Sequence, residues 1–277
     1  MWLLTLSLCL VAEPERLTDD GREKFDPVFL HNGTEIIYTL QETPAQTRIM
    51  KRFANGQQDK LHPTAGSSEF EPTFNGDDSW YAFIQSRGNL NLKLVIREVK
   101  TGKENSFDPG GGFASLRRPS FVPDGSRVVF SIPSGNGHAI VSVNAQGQDR
   151  KTLTEGGLNS GPNVSPDGKK VVFCSSRDGQ YDIYAMNIDG SNVHRVVQTA
   201  GADFRPCWSP DGKRIVFTSN KSGNYDLWIV NADGTNLRQL TTSPERDDYA
   251  TWHPDGKRVL FVGERNGKFD LYLLAVE

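Results

Sequence analysis

"PCWSPDGKRIVF", residues 206–217, has two near-copies in the same chain, "PNVSPDGKKVVF" at 162–173 and "ATWHPDGKRVLF" at 250–261. Anchored on the residue that opens each copy, the series extends to Pro27, Pro72, Pro119, Pro162, Pro206 and Ala250, with successive steps of 45, 47, 43, 44 and 44 residues. Two residues beyond each anchor stands Phe29, Phe74, Phe121, Val164, Trp208 or Trp252, and nine further on Tyr38, Phe83, Phe130, Phe173, Phe217 or Phe261. The offset of nine holds through all six copies while the distance between copies varies, so the variation belongs to loops. A fixed period of this length is the mark of a repeat architecture.

Residues 206–246 show what one unit builds. "PCW" is a short strand that ends at "SPDG", where Pro210 presets φ, Asp211 can bond nearby backbone and Gly212 accepts a left-handed conformation. "KRIVFTS" then alternates, with Ile215 and Phe217 on one face and Arg214, Val216 and Thr218 on the other. "LWIVN" is a third strand, Asp233-Gly234 gives another tight turn, and "LRQLTT" is the fourth. A four-stranded meander of this size cannot cover both of its faces, and six such sheets set radially cover one another. The expected fold is all-β: a six-bladed β-propeller of four-stranded antiparallel blades over residues 13–277, with blades starting near 27, 72, 119, 162, 206 and 250. A two-sheet sandwich would explain short strands but not six copies in register.

The last copy ends after "KFDLYLLAVE", one strand short, while residues 14–25, "PERLTDDGREKF", are similar to "LRQLTTSPERDDY" at 237–249. The N-terminal strand is therefore predicted to complete the sixth blade. Before it lies "MWLLTLSLCLVA", residues 1–12, an apolar run too short to span a bilayer but of the length of a secretory core segment, with Ala12 as the cleavage edge. It lacks a preceding Lys or Arg; export is the expectation, an extra packed strand the alternative.

Composition removes several functions. With 31 basic and 34 acidic side chains in 277 residues there is no global field for a polyanion, which argues against nucleic acid as partner. Cys9, Cys174 and Cys207 show no metal-ligand spacing, and Cys174 takes a position that reads Ser131, Thr218 and Val262 in sister copies, a small packed side chain. No cofactor is expected, although the central channel leaves room for a cation.

"VSPDGKKVVFCSSRDGQYDIYAMNIDGSN" at 164–192 and "WSPDGKRIVFTSNKSGNYDLWIVNADGTNLRQLT" at 208–241 resemble the repeats of TolB-type propellers, a WD-repeat-like class. The resemblance is strong in blades 4 to 6, good in blade 3 and faint in blades 1 and 2, where "LHNG" and "NGDD" replace the turn. It implies a six-bladed propeller, usually outside the bacterial cytoplasm, that binds proteins through one mouth of its channel. TolB carries an additional α/β domain ahead of its propeller, and none is expected from the residues of this sequence.

The repeated carboxylates read as structure. Asp124, Asp167, Asp211 and Asp255 occupy identical hairpins about a blade apart and cap their own turns; Asp182, Asp226 and Asp270 begin third strands, where structural hydrogen bonding is expected. Function is expected where the copies differ, in the segments entering each first strand. Asp26, Glu71, Arg118, Arg205 and Tyr249, with Asp203, Phe204, Asp247 and Asp248 beside them, are predicted to form a mixed-charge rim with exposed aromatics at one mouth, suited to a protein or peptide. The chain is expected to act as a monomer with no membrane span. An enzyme is the alternative: no G-x-S-x-G elbow occurs, and His31, His62, His138, His194 and His253 are scattered, but some polysaccharide lyases resemble this propeller class and hold metal on channel histidines.

Overall fold

The computed structural model describes residues 13–63, 66–86, 92–108 and 117–276. It contains six four-stranded antiparallel sheets, each built from strands consecutive in the chain except one. That exception is the ring closure: Glu15–Arg16 pairs with Lys268–Ala275, in register Glu15 to Leu273 and Arg16 to Tyr272, and becomes the outer strand of the sixth blade. The fold is a six-bladed β-propeller closed by its own N-terminal strand. Among the described residues no helix is long and apolar enough to cross a membrane. Residues 1–12, the proposed leader, lie outside the described residues.

The repeat pattern is the packing pattern. Tyr38, Phe83, Phe130, Phe173, Phe217 and Phe261, the side chains at the offset of nine, are all at most 1% exposed. Each sits on the second strand of its blade and packs against apolar residues of its neighbours: Phe173 meets Val129 and Ile140 of the preceding blade, and Phe217 meets Val172 and Ile183. The turn carboxylates do what their position predicts. Asp167 Oδ1 accepts from Ser165 Oγ at 2.6 Å and from the Lys169 amide at 3.1 Å, and Asp211 repeats the arrangement with Ser209 and Lys213.

First strands lie at the channel: Lys24–Phe29, Ser68–Phe74, Arg117–Phe121, Asn159–Val164, Asp203–Trp208 and Asp247–Trp252. All six carry an irregularity at the same place, between Phe25 and Val28, Phe70 and Thr73, Arg117 and Ser120, Ser160 and Asn163, Phe204 and Cys207, and Asp248 and Thr251. A β-bulge of this kind re-aims the side chain at its apex. The apex is the residue before each anchor.

Candidate functional site

The six apex residues are Asp26, Glu71, Arg118, Gly161, Arg205 and Tyr249. All have left-handed backbones, with φ of 45°, 54°, 48°, 62°, 52° and 58°. Five of the six are not glycine, and a side chain in that region costs conformational energy that the surrounding sheet must hold in place. The bulges point these side chains inward, where they cap a narrow channel cavity of about 90 Å³ lined by first-strand residues of every blade. Above them opens a cup of about 1040 Å³.

The apex side chains engage one another across the channel. Arg118 reaches from blade 3 to blade 1, donating from Nε and Nη2 to Asp26 Oδ1 at 3.1 and 2.8 Å. Arg205 lies over the Tyr249 ring at 4.3 Å and pairs with Asp248 at 3.0 Å. Burial alone would push Asp248 up, but Arg205 and Arg246 outweigh it and hold this carboxyl below the ordinary range. Glu71 accepts from the Arg118 amide and stands 3.5 Å from Arg117 Nη1. Burial, with the nearby charge of Asp26, pushes Glu71 up to about 7. The wall continues with cation–aromatic pairs: Arg117 over Phe70 at 5.7 Å and Arg246 over Tyr225 at 5.2 Å. Four arginines and a set of aromatic rings thus line a concave mouth.

Of the nine residues predicted for the rim, Asp26, Glu71, Phe204, Arg118, Arg205 and Tyr249 line this cup. Asp203, Asp247 and Asp248 do not sit on an exposed rim; they are 0%, 0% and 1% exposed. The strand alternation explains the difference. Two positions before five of the six apex residues the side chain is withdrawn between blades: Lys24, Glu69, Asn159, Asp203 and Asp247 are each at most 3% exposed. Four of them latch the junction with their own chemistry: Lys24 meets Asp270, Glu69 meets His62 at 2.6 Å, Asn159 donates to the His138 carbonyl at 2.9 Å and Asp203 accepts from Thr199 at 2.9 Å. Asp247 accepts from Arg265 of its own blade at 2.8 Å, while its amide donates to the Tyr225 carbonyl of blade 5 at 2.8 Å. Asp248, one position on, is buried beneath Arg205 and Arg246 and accepts from Thr218 at 2.7 Å.

Sequence reasoning missed Arg117, Phe70, Arg246 and Tyr225. The first two stand directly before an apex residue and the third three before Tyr249, so the bulge register would have found them; Tyr225 comes from a different loop and carries no local signal. Among the described residues lining the cup and the channel none is a histidine. His62 is instead held between Glu69 and the Tyr81 hydroxyl, each at 2.6 Å, and His253 bonds the Gly33 carbonyl at 2.9 Å.

Residues 154–277 match the family model for the TolB beta propeller domain, PD40. The chain is a six-bladed β-propeller whose residues 154–277 resemble the TolB propeller. It is 36% identical over 85 residues to an uncharacterized protein of Agrobacterium fabrum, and 31% identical over 84 residues to the Tol-Pal system protein TolB of Francisella tularensis. Those matched stretches take in 30% and 29% of this chain but only 29% and 19% of the relatives' lengths. The crystal structure of TolB from Acinetobacter baumannii superposes with a TM-score of 0.71 at 22% identity, covering 88% of this chain and 64% of that one. The same propeller shape is found in an oligogalacturonate lyase of Vibrio parahaemolyticus, with a TM-score of 0.61 at 16% identity over 98% of this chain and 95% of the other. TolB-like propellers and enzymes therefore share this scaffold, and only the cup can speak for function.

Proposed function

We propose that this TolB-like propeller is a non-enzymatic scaffold, acting without a cofactor as a monomer outside the cytoplasm, that captures a segment of protein in the cup. The observation that carries the reading is the ring of six left-handed bulges, which presents arginines and aromatic rings on a rigid concave floor. Arg and Tyr in a preformed depression are the common anchors of protein recognition, and backbone strain repeated at one place marks a functional surface. The apolar stretch at 1–12 and the likeness to TolB support export. Asp26, Glu71, Arg118, Phe204, Arg205 and Tyr249, joined by Arg117, Arg246 and Tyr225, are the binding residues; Asp203, Asp247 and Asp248 support them from beneath.

The test compares capture from an envelope extract by the purified wild-type chain and by Arg117→Ser/Tyr225→Ser, which changes only the cup wall. Bound protein that is lost with the variant supports the reading. Capture that survives it, or turnover of oligogalacturonate by the purified chain with a divalent metal, overturns it.

A further inference from the structure

The inference rests on the capture reading and concerns the sixth apex position, where the ring carries no side chain. A Cβ placed on Gly161 would lie 3.7 Å from Arg118 Cδ, 3.8 Å from Arg118 Nη1 and 4.0 Å from Arg205 Cα, ordinary contact distances with nothing in the way. The backbone conformation does not itself require glycine, since the same bulge holds Asp, Glu, Arg, Arg and Tyr at φ of 45° to 58° in the other blades. What glycine supplies here is space. The result is a notch one side chain wide, on the cup floor, bordered by Ser160, Cys174, Phe204 and the two arginines.

The wall of that notch is cationic. Arg118 commits Nε and Nη2 to a single oxygen of Asp26, and among the described residues no hydrogen bond uses its Nη1, the edge turned toward Gly161. Arg205 adds a second guanidinium within the same ring, with its own partners Asp248 and Tyr249 on the side away from blade 4. A guanidinium edge in a partly dehydrated cleft selects a carboxylate. The wide cup above admits an extended chain lying across it, with one side chain directed to the floor.

We propose that the notch over Gly161 receives the carboxylate of a Glu or Asp side chain from the bound peptide, held by the free Nη1 edge of Arg118. The side chain missing from the ring is then supplied by the ligand.

Two experiments test this. The first needs no ligand. Asn and Asp both tolerate left-handed backbone, so Gly161→Asn and Gly161→Asp fill the notch with the same shape, and only the second plants a carboxylate in it. At pH 8 Gly161→Asp should melt at least roughly 2 °C above Gly161→Asn, and the gap should close when Arg118→Gln is added. An equal or lower Tm for Gly161→Asp overturns the anion site. The second selects end-blocked random nonapeptides on the full wild-type chain. Selected peptides should share an acidic position whose change to the amide weakens binding at least tenfold by fluorescence anisotropy, and Gly161→Asn should abolish that difference. Peptides that bind with no acidic requirement overturn the notch while leaving capture intact. Peptides whose acidic residue is replaced without loss by a free C-terminal carboxylate overturn the side-chain assignment. No selected peptide at all overturns the capture reading and the notch with it.

Discussion

Lys24 Nζ lies 3.4 Å from Asp270 Oδ1 with both side chains withdrawn from solvent, at the junction where the first blade meets the last. Asp270 also accepts from Thr18 Oγ1 at 2.7 Å and Arg16 Nη2 at 2.6 Å, and Lys24 is shared with Asp20 and the Phe269 carbonyl. Residues of the closing strand, the first blade and the sixth blade thus converge on one buried charge pair. Removing one member of such a pair strands the other, a loss of about 3–5 kcal/mol. Lys24→Met should destabilise toward the lower end of that range, because Arg16 and Thr18 remain on Asp270. Urea unfolding monitored by tryptophan fluorescence measures it. A loss below about 1 kcal/mol would show that the seam does not depend on the pair.

The equivalent position in blade 5 is Asp203, and its physics is opposite. Its Oδ1 accepts from Thr199, but its buried Oδ2 has no hydrogen-bond partner among the described residues. Burial, with Asp182 nearby, pushes this carboxyl up to about 6 from 3.8. A carboxyl raised in the folded state binds more protons folded than unfolded between those values, so stability falls as pH rises from about 4 to about 6 and stays reduced above. Asp203→Asn removes the ionisation, and Asn159 shows that the amide fits the same place in blade 4. The variant should gain about 1–3 kcal/mol over wild type at pH 8 and little or nothing at pH 4. Melting curves at the two values decide; an equal gain at both would assign the effect to packing.

Cup and latch residues should separate cleanly by mutation. Arg117 is half exposed and Tyr225 partly so; Arg117→Ser and Tyr225→Ser should change stability by no more than about 0.5 kcal/mol. Asp248→Lys places a third cation beside Arg205 and Arg246 in a site that is 1% exposed, and should leave the chain unfolded or aggregated. Circular dichroism and gel filtration compare them. A folded Asp248→Lys would mean that the junction opens to water.

The blade count, the closing strand and the six core aromatics were all legible in the sequence, because each follows from a period that every copy obeys. The apex residues were legible as the points of difference next to the anchors, yet their orientation was not. Asp247 and Asp248 look alike on paper, two acids before Tyr249, and alternation along the strand sends one into the junction and the other beneath two arginines. Polar character alone does not reveal burial where the neighbouring blade supplies the hydrogen bonds, as Thr199 does for Asp203. The bulge itself, which turns Tyr249 inward, depends on pairing between strands and leaves no local trace beyond the following proline in five of the six copies.

Glu71 gives the cup a response to pH. The residue is 8% exposed, and its carboxyl accepts from the Arg118 amide and faces Asp26, Arg117 and Arg118. Burial and Asp26 push it up to about 7, so below that value it is neutral and above it a second carboxylate joins Asp26 beside the arginines. An acidic ligand then competes with one more negative charge. Capture of an end-blocked peptide with a single Glu should therefore strengthen as pH falls from 8 to 6, by about fivefold, the effect of a charge interaction of ~1 kcal/mol. Glu71→Gln should bind at pH 8 as the wild type does at pH 6 and vary little between them. Among the described residues no histidine lines the cup, so Glu71 is the source expected for an inflection near 7. Anisotropy titrations at the two pH values provide the measurement, and a pH dependence that persists in Glu71→Gln would remove Glu71 from the response.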